Sequence, residues 1–243
     1  MDDKPDDLEV PRQQRGLLRH EPRTYGRSER GVALECFGPE DGPVDLLIMA
    51  SMHGDEVEST VVLSQALRRL PAEAVRNPVI LGVNPDGILN GTRCNARGVD
   101  LNRNWPTANW SRQPVRYREH GQAVQDIELS PGSAPASEAE TRALLALVER
   151  LSPRAIVSLH TPLGCIDDPR NSSLGQWIAS AVGLPLVPDV GYPTPGSFGT
   201  WCAEQDIPII TWELPKAPLG ETIASHGPVL ARLITGEAGP WEF

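Results

Sequence analysis

The sequence predicts a single-domain, three-layer α/β/α protein in which helices cover both faces of a mixed, mostly parallel central sheet. Short apolar runs with strand character alternate along the chain with longer stretches of helical periodicity, the order typical of such folds. The chain has 243 residues, 40% of them hydrophobic and 22% charged. This length allows one sizeable domain with its own core, and the composition is ordinary for a globular protein.

The first half of the chain is predicted to contain three strands and one long helix. Apolar runs at residues 32–37 and 44–51 indicate strands, and a turn-rich GPEDGP sequence separates them. Residues 57–70 carry apolar side chains at helical spacing and end directly before Pro71, which indicates a helix. Residues 78–83 indicate the next strand.

The second half begins with a long stretch, residues 84–137, that has few regular signals and is rich in Asn, Arg, Gly and Trp. Irregular stretches of this length in compact domains are usually functional or flexible. We then expect a helix at about residues 137–151, a strand at 155–160 and an irregular turn at 161–170. These are followed by a helix at 172–182, a Pro/Gly loop at 185–199, a strand at 207–212 and a weak helix at 221–233.

Charge and composition narrow the class of function. The net charge of −10 at pH 7 argues against a nucleic-acid partner, although a locally basic site could still bind an anionic substrate. The acidic N-terminus lacks the apolar core of a secretory signal, and no apolar run approaches the length of a membrane span. The four Cys have no CxxC spacing, so we expect reduced thiols. These features predict a cytoplasmic protein without a membrane partner.

Two histidines and a glutamate near strand ends predict a metal site. His53 and Glu56 are spaced i, i+3 just after the apolar run LLIMA, across a strand-to-helix turn where both side chains can converge. His160 closes a second apolar run, and ligands in open α/β sheets gather at the carboxyl ends of strands. A catalytic zinc takes three protein ligands and leaves its fourth position for water. A lone His-x-x-Glu is more often a solvated turn, so this pattern alone does not decide.

A longer motif points to a family. Residues 98–106 read GVDLNRNWP. Together with the His53/Glu56 pair, His160 and Glu213, this stretch resembles the zinc carboxypeptidases of the metallocarboxypeptidase superfamily. Within that superfamily the chain is most similar to the murein peptide amidases.

The resemblance covers nearly the whole chain. It includes VNPDG at residues 83–87, GY at 191–192 and PGSFG at 195–199. It implies a zinc carboxypeptidase-like catalytic domain at residues 25–243, preceded by a polar N-terminal segment at residues 1–24.

The resemblance implies the residues of the catalytic centre. His53, Glu56 and His160 would hold one zinc ion per chain. Glu213 would be the general base, and Arg93 would polarise the scissile carbonyl. The chemistry suits these residue types, because a carboxylate can take a proton from a zinc-activated water while a guanidinium stabilises the oxyanion.

The resemblance also implies substrate-binding residues. Asn102 and Arg103 would hold the terminal carboxylate, and Tyr192 would be a mobile tyrosine that closes over the substrate. The acidic turn Asp167–Asp168 could supply charge to the distal end of the substrate, and we assign Asp168 that role. Each has a plain alternative, such as a turn-forming Asn, a surface salt bridge or a loop aromatic packed on the core.

The function implied is zinc-dependent hydrolysis, in cell-wall peptide recycling, of the γ-D-glutamyl–meso-diaminopimelate bond of L-alanyl-γ-D-glutamyl-meso-diaminopimelate. The partner would be this small peptide with its free carboxylate, and the protein a monomer or homodimer. One alternative is a zinc deacylase like aspartoacylase or succinylglutamate desuccinylase, but those carry a further β-rich domain and only 30 residues follow Glu213. The other is a non-catalytic zinc-binding homologue, against which Glu213 and Arg93 argue.

Overall fold

A computed structural model describes residues 16–119 and 125–237. Its strands are β1 (Arg23–Arg27), β2 (Ala33–Cys36), β3 (Leu46–Ala50), β4 (Val79–Ile80), β5 (Val115–Glu119), β6 (Gln125–Leu129), β7 (Ala155–His160), β8 (Leu163–Asp167), β9 (Leu186–Val187) and β10 (Ile209–Pro215). Its α-helices are α1 (Val57–Arg68), α2 (Pro85–Asn90), α3 (Ala139–Leu151), α4 (Ser173–Val182), α5 (Phe198–Glu204) and α6 (Leu219–Thr235). Of the predicted polar segment at residues 1–24, residues 1–15 lie outside the described part of the chain.

The central sheet has six strands in the order β4-β3-β7-β10-β8-β9. The first four strands in this order are mutually parallel, whereas β8 runs antiparallel to β10 and β9 runs parallel to β8. Every residue of β3 and β7 is buried, as their continuous apolar runs predict for central strands covered on both faces. The predicted mixed, mostly parallel sheet is confirmed.

Helices cover both faces of this sheet. One core cluster joins the sheet to α1, α4 and α6, and a second joins its other face to α3 and α5. The helices present apolar side chains at helical spacing, as in α3, where Leu144, Leu147, Val148 and Leu151 are buried. The three-layer α/β/α prediction is therefore confirmed. The two helical layers enclose the sheet, and the candidate site lies at the carboxyl ends of its central parallel strands.

The structure differs from the prediction where local signals are weak. The stretch predicted as irregular contains α2, a 3-10 turn at Leu101–Arg103 and the antiparallel hairpin β5–β6. Each strand of this hairpin has only two apolar side chains at alternate positions, Val115 with Tyr117 and Ile127 with Leu129, so the alternation is too short to indicate a strand by itself. The predicted turn after His160 contains β8, and the predicted Pro/Gly loop contains β9 and the start of α5.

The part of the chain that the structure describes contains no helix that is both long and apolar enough to cross a membrane.

Candidate active site

Three side chains converge at the carboxyl ends of β3 and β7. Nδ1 of His53 lies 2.7 Å from Oε1 of Glu56, and Nδ1 of His160 lies 3.0 Å from Oε2 of the same carboxylate. The two Nδ1 atoms are 3.3 Å apart. One atom from each of the three residues lies within 4.8 Å of the others, and all three residues are buried. Two imidazoles and one carboxylate in this arrangement could hold a metal ion.

The local sequence explains why the His53 turn is so compact. Gly54 lies against the backbone of Gly87, and a Cβ at Gly54 would collide with it, so only glycine fits there. The backbone N–H of Gly54 also donates to the carbonyl of Arg93, at 3.1 Å. Glu56 follows at the N-cap of α1 but makes no side-chain capping bond, because its carboxylate points to the two histidines.

The outer nitrogens of both histidines have polar neighbours of their own. Nε2 of His53 lies 3.4 Å from Oδ1 of Asp100, whose side chain is fully buried. Nε2 of His160 lies 3.1 Å from Oγ of Ser158. Metal-binding histidines characteristically donate their other N–H to such an acceptor, which fixes the ring and the tautomer. Nη2 of Arg93 also lies 2.9 Å from Nε2 of His53, so Arg93 and Asp100 both border the outer side of this ring. Once the rings are deprotonated, the two Nδ1 atoms, which face the Glu56 carboxylate, could bind a metal.

The buried charges of this centre stabilise one another. Burial and the Arg93 charge lower the pKa of His53, but Glu56 and Asp100 outweigh them and raise it to about 9. Burial raises the pKa of Glu56, but His53 and His160 outweigh it and hold the pKa well below its ordinary range. Burial also raises the pKa of Asp100, but Arg93 and His53 outweigh it and hold that pKa well below its ordinary value. Glu56 and Asp100 are therefore both held as carboxylates.

Glu213 lies beside this group because of strand register. It pairs with His160 across the parallel strands β10 and β7, so the two side chains leave the same face of the sheet. Its Oε2 accepts a hydrogen bond from the backbone N–H of Leu163, at 3.3 Å. Burial raises the pKa of this carboxyl group, and the negative charge of Glu56 adds to the effect against the lowering by His160. A raised pKa suits a carboxylate that must accept a proton.

Arg93 is held next to the cluster by charge and by an aromatic ring. Its Nε donates to Oδ2 of Asp100 at 3.1 Å, and its Nη1 lies 3.5 Å from Oε1 of Glu56. Its guanidinium carbon lies 4.2 Å from the centroid of the Tyr117 ring on β5, a cation–π distance. The hairpin that sequence analysis missed thus contributes a contact to the site.

Asn102 and Arg103 lie in the 3-10 turn that follows Asp100. The side-chain oxygen of Asn102 accepts the backbone N–H of Phe198 at 2.9 Å, which orients its NH₂ group as a donor. Arg103 is buried, with Nη1 donating to the Asn102 carbonyl at 2.6 Å and with Nε lacking a partner among the described residues. Gly196 packs so closely on the Arg103 carbonyl that a Cβ would collide with it. A guanidinium beside an amide donor suits a carboxylate.

Tyr192 lies on the loop after β9 with 49% of its surface exposed. Burial raises the pKa of its hydroxyl, and the negative charge of Glu213 does so next, while Arg93 and Arg103 lower it. Glu213, Arg93 and Arg103, whose charges act on Tyr192, are all predicted site residues. The structure therefore brings Tyr192 to the same region, on an exposed loop.

Asp168 is not brought to this region. It is buried at the start of α4, where Oδ1 accepts the backbone N–H of Arg170 at 3.0 Å. Its Oδ2 accepts both the backbone N–H and the hydroxyl of Ser172, each at 2.7 Å. The predicted substrate contact of Asp168 is wrong for this structure, because both carboxylate oxygens are used to organise the turn that starts the helix.

A second acidic group, Glu29, Glu138 and Glu140, also lies close enough to hold a metal ion. Its oxygens already have protein partners: Asn95 donates to Glu138 at 2.9 Å and to Glu140 at 3.3 Å. Arg97 lies 3.6 Å from Glu138 and 3.9 Å from Glu29. We interpret this group as a structural link between the N-terminal hairpin and α3.

Sequence analysis missed Asp100, Ser158 and Tyr117. Asp100 lies inside the GVDLNRNWP motif, so its position in that motif was a usable signal. Ser158 is two residues before His160 on the same strand and therefore on the same face, which period-two spacing could have indicated. Tyr117 had only a weak local signal, the short alternation of Val115 and Tyr117 with arginines, and the hairpin that carries it was not predicted.

Comparison with known proteins agrees with this geometry. The family described as zinc carboxypeptidase matches residues 38–163. The chain is 46% identical to murein peptide amidase A of Escherichia coli K12 over 226 residues, covering 92% of this chain and 93% of that protein. It is 43% identical to murein peptide amidase A of Vibrio campbellii, covering 89% and 88% of the two chains.

A solved structure is similar over the whole fold. The crystal structure of the murein-tripeptide amidase of Escherichia coli O157 superposes with a TM-score of 0.89 at 45% identity. The match covers 94% of this chain and 97% of that chain.

Proposed function

This chain belongs to the zinc carboxypeptidase family, and from that premise we propose that it hydrolyses a murein peptide. The bond would be the γ-D-glutamyl–meso-diaminopimelate amide of L-alanyl-γ-D-glutamyl-meso-diaminopimelate. The observation that carries the proposal is the placement of a general-base candidate, Glu213, beside the His53, Glu56 and His160 cluster. The relatives named murein peptide amidase, which are similar over about nine-tenths of the chain, support the choice of substrate.

The metal would be one zinc ion held by His53, Glu56 and His160. The fit rests on the donor set: two Nδ1 atoms and a carboxylate converge, and Asp100 and Ser158 lie 3.4 and 3.1 Å from the outer nitrogens, where each could accept an N–H. Two His and one Glu form a known ligand set of catalytic zinc in hydrolases. When bound, zinc supplies Lewis acidity that lowers the pKa of water and polarises an amide carbonyl.

Glu213 would take the proton from the attacking water and pass it to the leaving amine. Its carboxylate is free for this task on one side, because the structure gives it a single backbone donor, Leu163, among the described residues. Its raised pKa moves it closer to neutral pH, where a general base is most effective. The proton would move from water to Glu213 as the carbon–oxygen bond forms, and from Glu213 to nitrogen as the amide bond breaks.

Arg93 would stabilise the negative charge that develops on the carbonyl oxygen. Asp100 and the Tyr117 ring fix its guanidinium before substrate arrives, and a preorganised donor needs no rearrangement during the reaction. Asn102 and Arg103 would hold the free carboxylate of the C-terminal residue, which restricts cleavage to the bond next to that carboxyl end. Tyr192 would close over the bound peptide.

We also propose the cytoplasm as the location, because recycled murein peptides are processed inside the cell. The partner would be the small peptide alone. Whether the protein acts as a monomer or a homodimer stays a prediction.

The test is mass spectrometry of products from zinc-loaded protein. The substrates are the murein tripeptide, the same peptide with the diaminopimelate carboxylate next to the scissile bond amidated, and N-acetyl-aspartate as the deacylase substrate. We expect L-alanyl-γ-D-glutamate and free diaminopimelate from the first, and little turnover of the other two. Cleavage of N-acetyl-aspartate in preference to the tripeptide would contradict the proposal.

A further inference from the structure

Asp167 lies on the same face of the sheet as Glu213. In the antiparallel register of β8 and β10, Cys165 pairs with Glu213 and Asp167 pairs with Thr211. Cross-strand partners project to the same face, and residues two apart on one strand share a face. Asp167 is therefore the diagonal neighbour of Glu213 on the adjacent strand, about 7–8 Å away, and the two residues share the face that forms the floor of the site.

The Asp167 carboxylate is incompletely hydrogen-bonded within the described part of the chain. Its Oδ1 is buried and has no hydrogen-bond partner among the described residues. Burial, the charge of Asp189 and the charge of Glu213 raise the pKa of Asp167 to about 6. A buried polar atom without a partner is costly, and neighbouring negative charges add to the cost when the group is ionised. A cation at this position would relieve both penalties.

Asp168 shows how different this is from an ordinary structural aspartate. It is the next residue on the chain and faces the opposite side of the sheet, toward α4. Its Oδ1 accepts a hydrogen bond from Arg170, and its Oδ2 accepts one from Ser172. The turn thus supplies one satisfied carboxylate, at Asp168, and one carboxylate, at Asp167, with a buried oxygen that no described residue pairs.

We propose that Asp167 is a specificity-determining residue that receives an ammonium group at the far end of the substrate's C-terminal side chain. This inference rests on the proposed function, since it assumes that the terminal carboxylate lies at Asn102 and Arg103 and the scissile bond at Glu213. The C-terminal side chain then extends along the floor toward Asp167. Diaminopimelate fits this chemistry, because three methylene groups separate its second amino-bearing carbon from the first. Asp189, exposed on the loop after β9, adds negative charge that acts on Asp167.

The test compares two peptides that differ in one group. One is the murein tripeptide, and the other carries 2-aminopimelate in place of diaminopimelate, so that only the distal ammonium is missing. We expect wild-type protein to prefer the diaminopimelate peptide in kcat/KM at least about tenfold, the size of a charge-assisted hydrogen bond. Asp167→Asn should reduce this preference to within a few-fold. An equal loss on both peptides would overturn the inference.

Asp168→Asn is the matched control, because it neutralises the adjacent carboxylate on the other face. It is expected to lower thermal stability and to keep the preference of the wild type. Loss of the preference in Asp168→Asn alone would also overturn the assignment to Asp167.

A binding measurement separates this inference from the proposed function. Calorimetry would compare free meso-diaminopimelate with free 2-aminopimelate on zinc-loaded wild type and Asp167→Asn. If wild type cleaves neither peptide, the proposed substrate is wrong, but a tighter binding of diaminopimelate that disappears in Asp167→Asn still supports the ammonium site. Equal affinities of wild type for the two amino acids would overturn it.

Discussion

The metal-ligand half and the substrate half of the candidate site differ in how completely their polar atoms are paired. In the first half, His53 is bonded to Glu56 and faces Asp100, and His160 is bonded to Glu56 and Ser158. In the second half, Nε of Arg103 and Oδ1 of Asp167 are buried with no partner among the described residues. Arg103 is 3% exposed, as is His53, so burial alone does not explain the difference for Arg103.

The difference shows which ligand each half is built to receive. A half whose side chains already orient one another can hold a small ion in a fixed geometry. A half with unpaired buried donors and acceptors can gain its missing bonds from a complementary organic molecule, which would displace any water that satisfies them before it binds. We therefore expect the first half to bind metal and the second to bind substrate, and four variants test this separation.

The largest effect is expected for His160→Ala. Removing one of three ligands should abolish zinc binding and turnover, because two protein ligands rarely hold a catalytic zinc. Metal analysis by mass spectrometry and the peptide assay measure both. The control is His226→Gln: His226 is also buried, but it bonds Trp212 away from the cluster, so its zinc content should remain at one per chain. Stoichiometric zinc with normal turnover in His160→Ala would refute the ligand assignment.

The next largest effect is expected for Glu213→Gln. Glu213 lies between the two halves, since its strand pairs with the strand of His160 on one side and with that of Asp167 on the other. The amide oxygen of Gln can still accept the Leu163 N–H, so zinc content and substrate affinity should persist. Turnover should fall by at least about 100-fold, the usual size of general-base catalysis. Single-turnover kinetics on zinc-loaded protein measure the chemical step. A rate within a few-fold of wild type would place the base on another residue.

An intermediate effect is expected for Asp100→Asn, which keeps the shape of the metal half but removes its buried charge. Loss of such an outer partner typically costs 10- to 100-fold in metal affinity or activity. Competition with a chelator measures the affinity. Asp86→Asn is the matched control, because Asp86 is equally buried but bonds Ser28 and Arg30 instead. Equal zinc affinities in both variants would show that Asp100 does not support the metal.

The same contrast explains what the sequence could predict. Buried strands and amphipathic helices have strong local periodicity, so the sheet, its layers and the position of His160 at a strand end followed from pattern alone. The metal half also uses residues in short, ordered motifs. The family resemblance then supplied roles for Glu213 and Arg93, which no spacing could have assigned.

The substrate half was harder to predict because it depends on register between distant strands. Nothing local distinguishes Asp167 from Asp168, and the sequence analysis assigned the substrate contact to Asp168. The pairing of β8 with β10 decides which aspartate faces Glu213: Asp167 shares that face of the sheet, and Asp168 faces α4. Tyr117 was missed for a related reason, since the apolar alternation in its hairpin is short and only tertiary contact brings the ring to Arg93.

The smallest effect in this series is expected for Arg103→Ala, and it tests the substrate half most directly. Nε of Arg103 is buried without a partner in the described part of the chain, and a carboxylate on the substrate would satisfy it. Removing the charged partner should lower kcat/KM on the free-acid tripeptide by at least about tenfold, the size of a charge-assisted contact. Amidating the diaminopimelate carboxylate next to the scissile bond should lower kcat/KM of the wild type to a similar extent.

The two changes together should cost little more than either alone, because each removes the same interaction. Such non-additivity is the mark of two groups in direct contact. The four values of kcat/KM, measured for both proteins on both peptides, close the cycle, with zinc content and thermal stability as checks on folding. Because Arg103 is buried, Arg103→Ala also risks a general loss of activity, but that loss would appear equally on the amide. Additive losses would therefore place the carboxylate elsewhere and would remove the geometric basis for the direction assigned to the substrate, including its approach to Asp167.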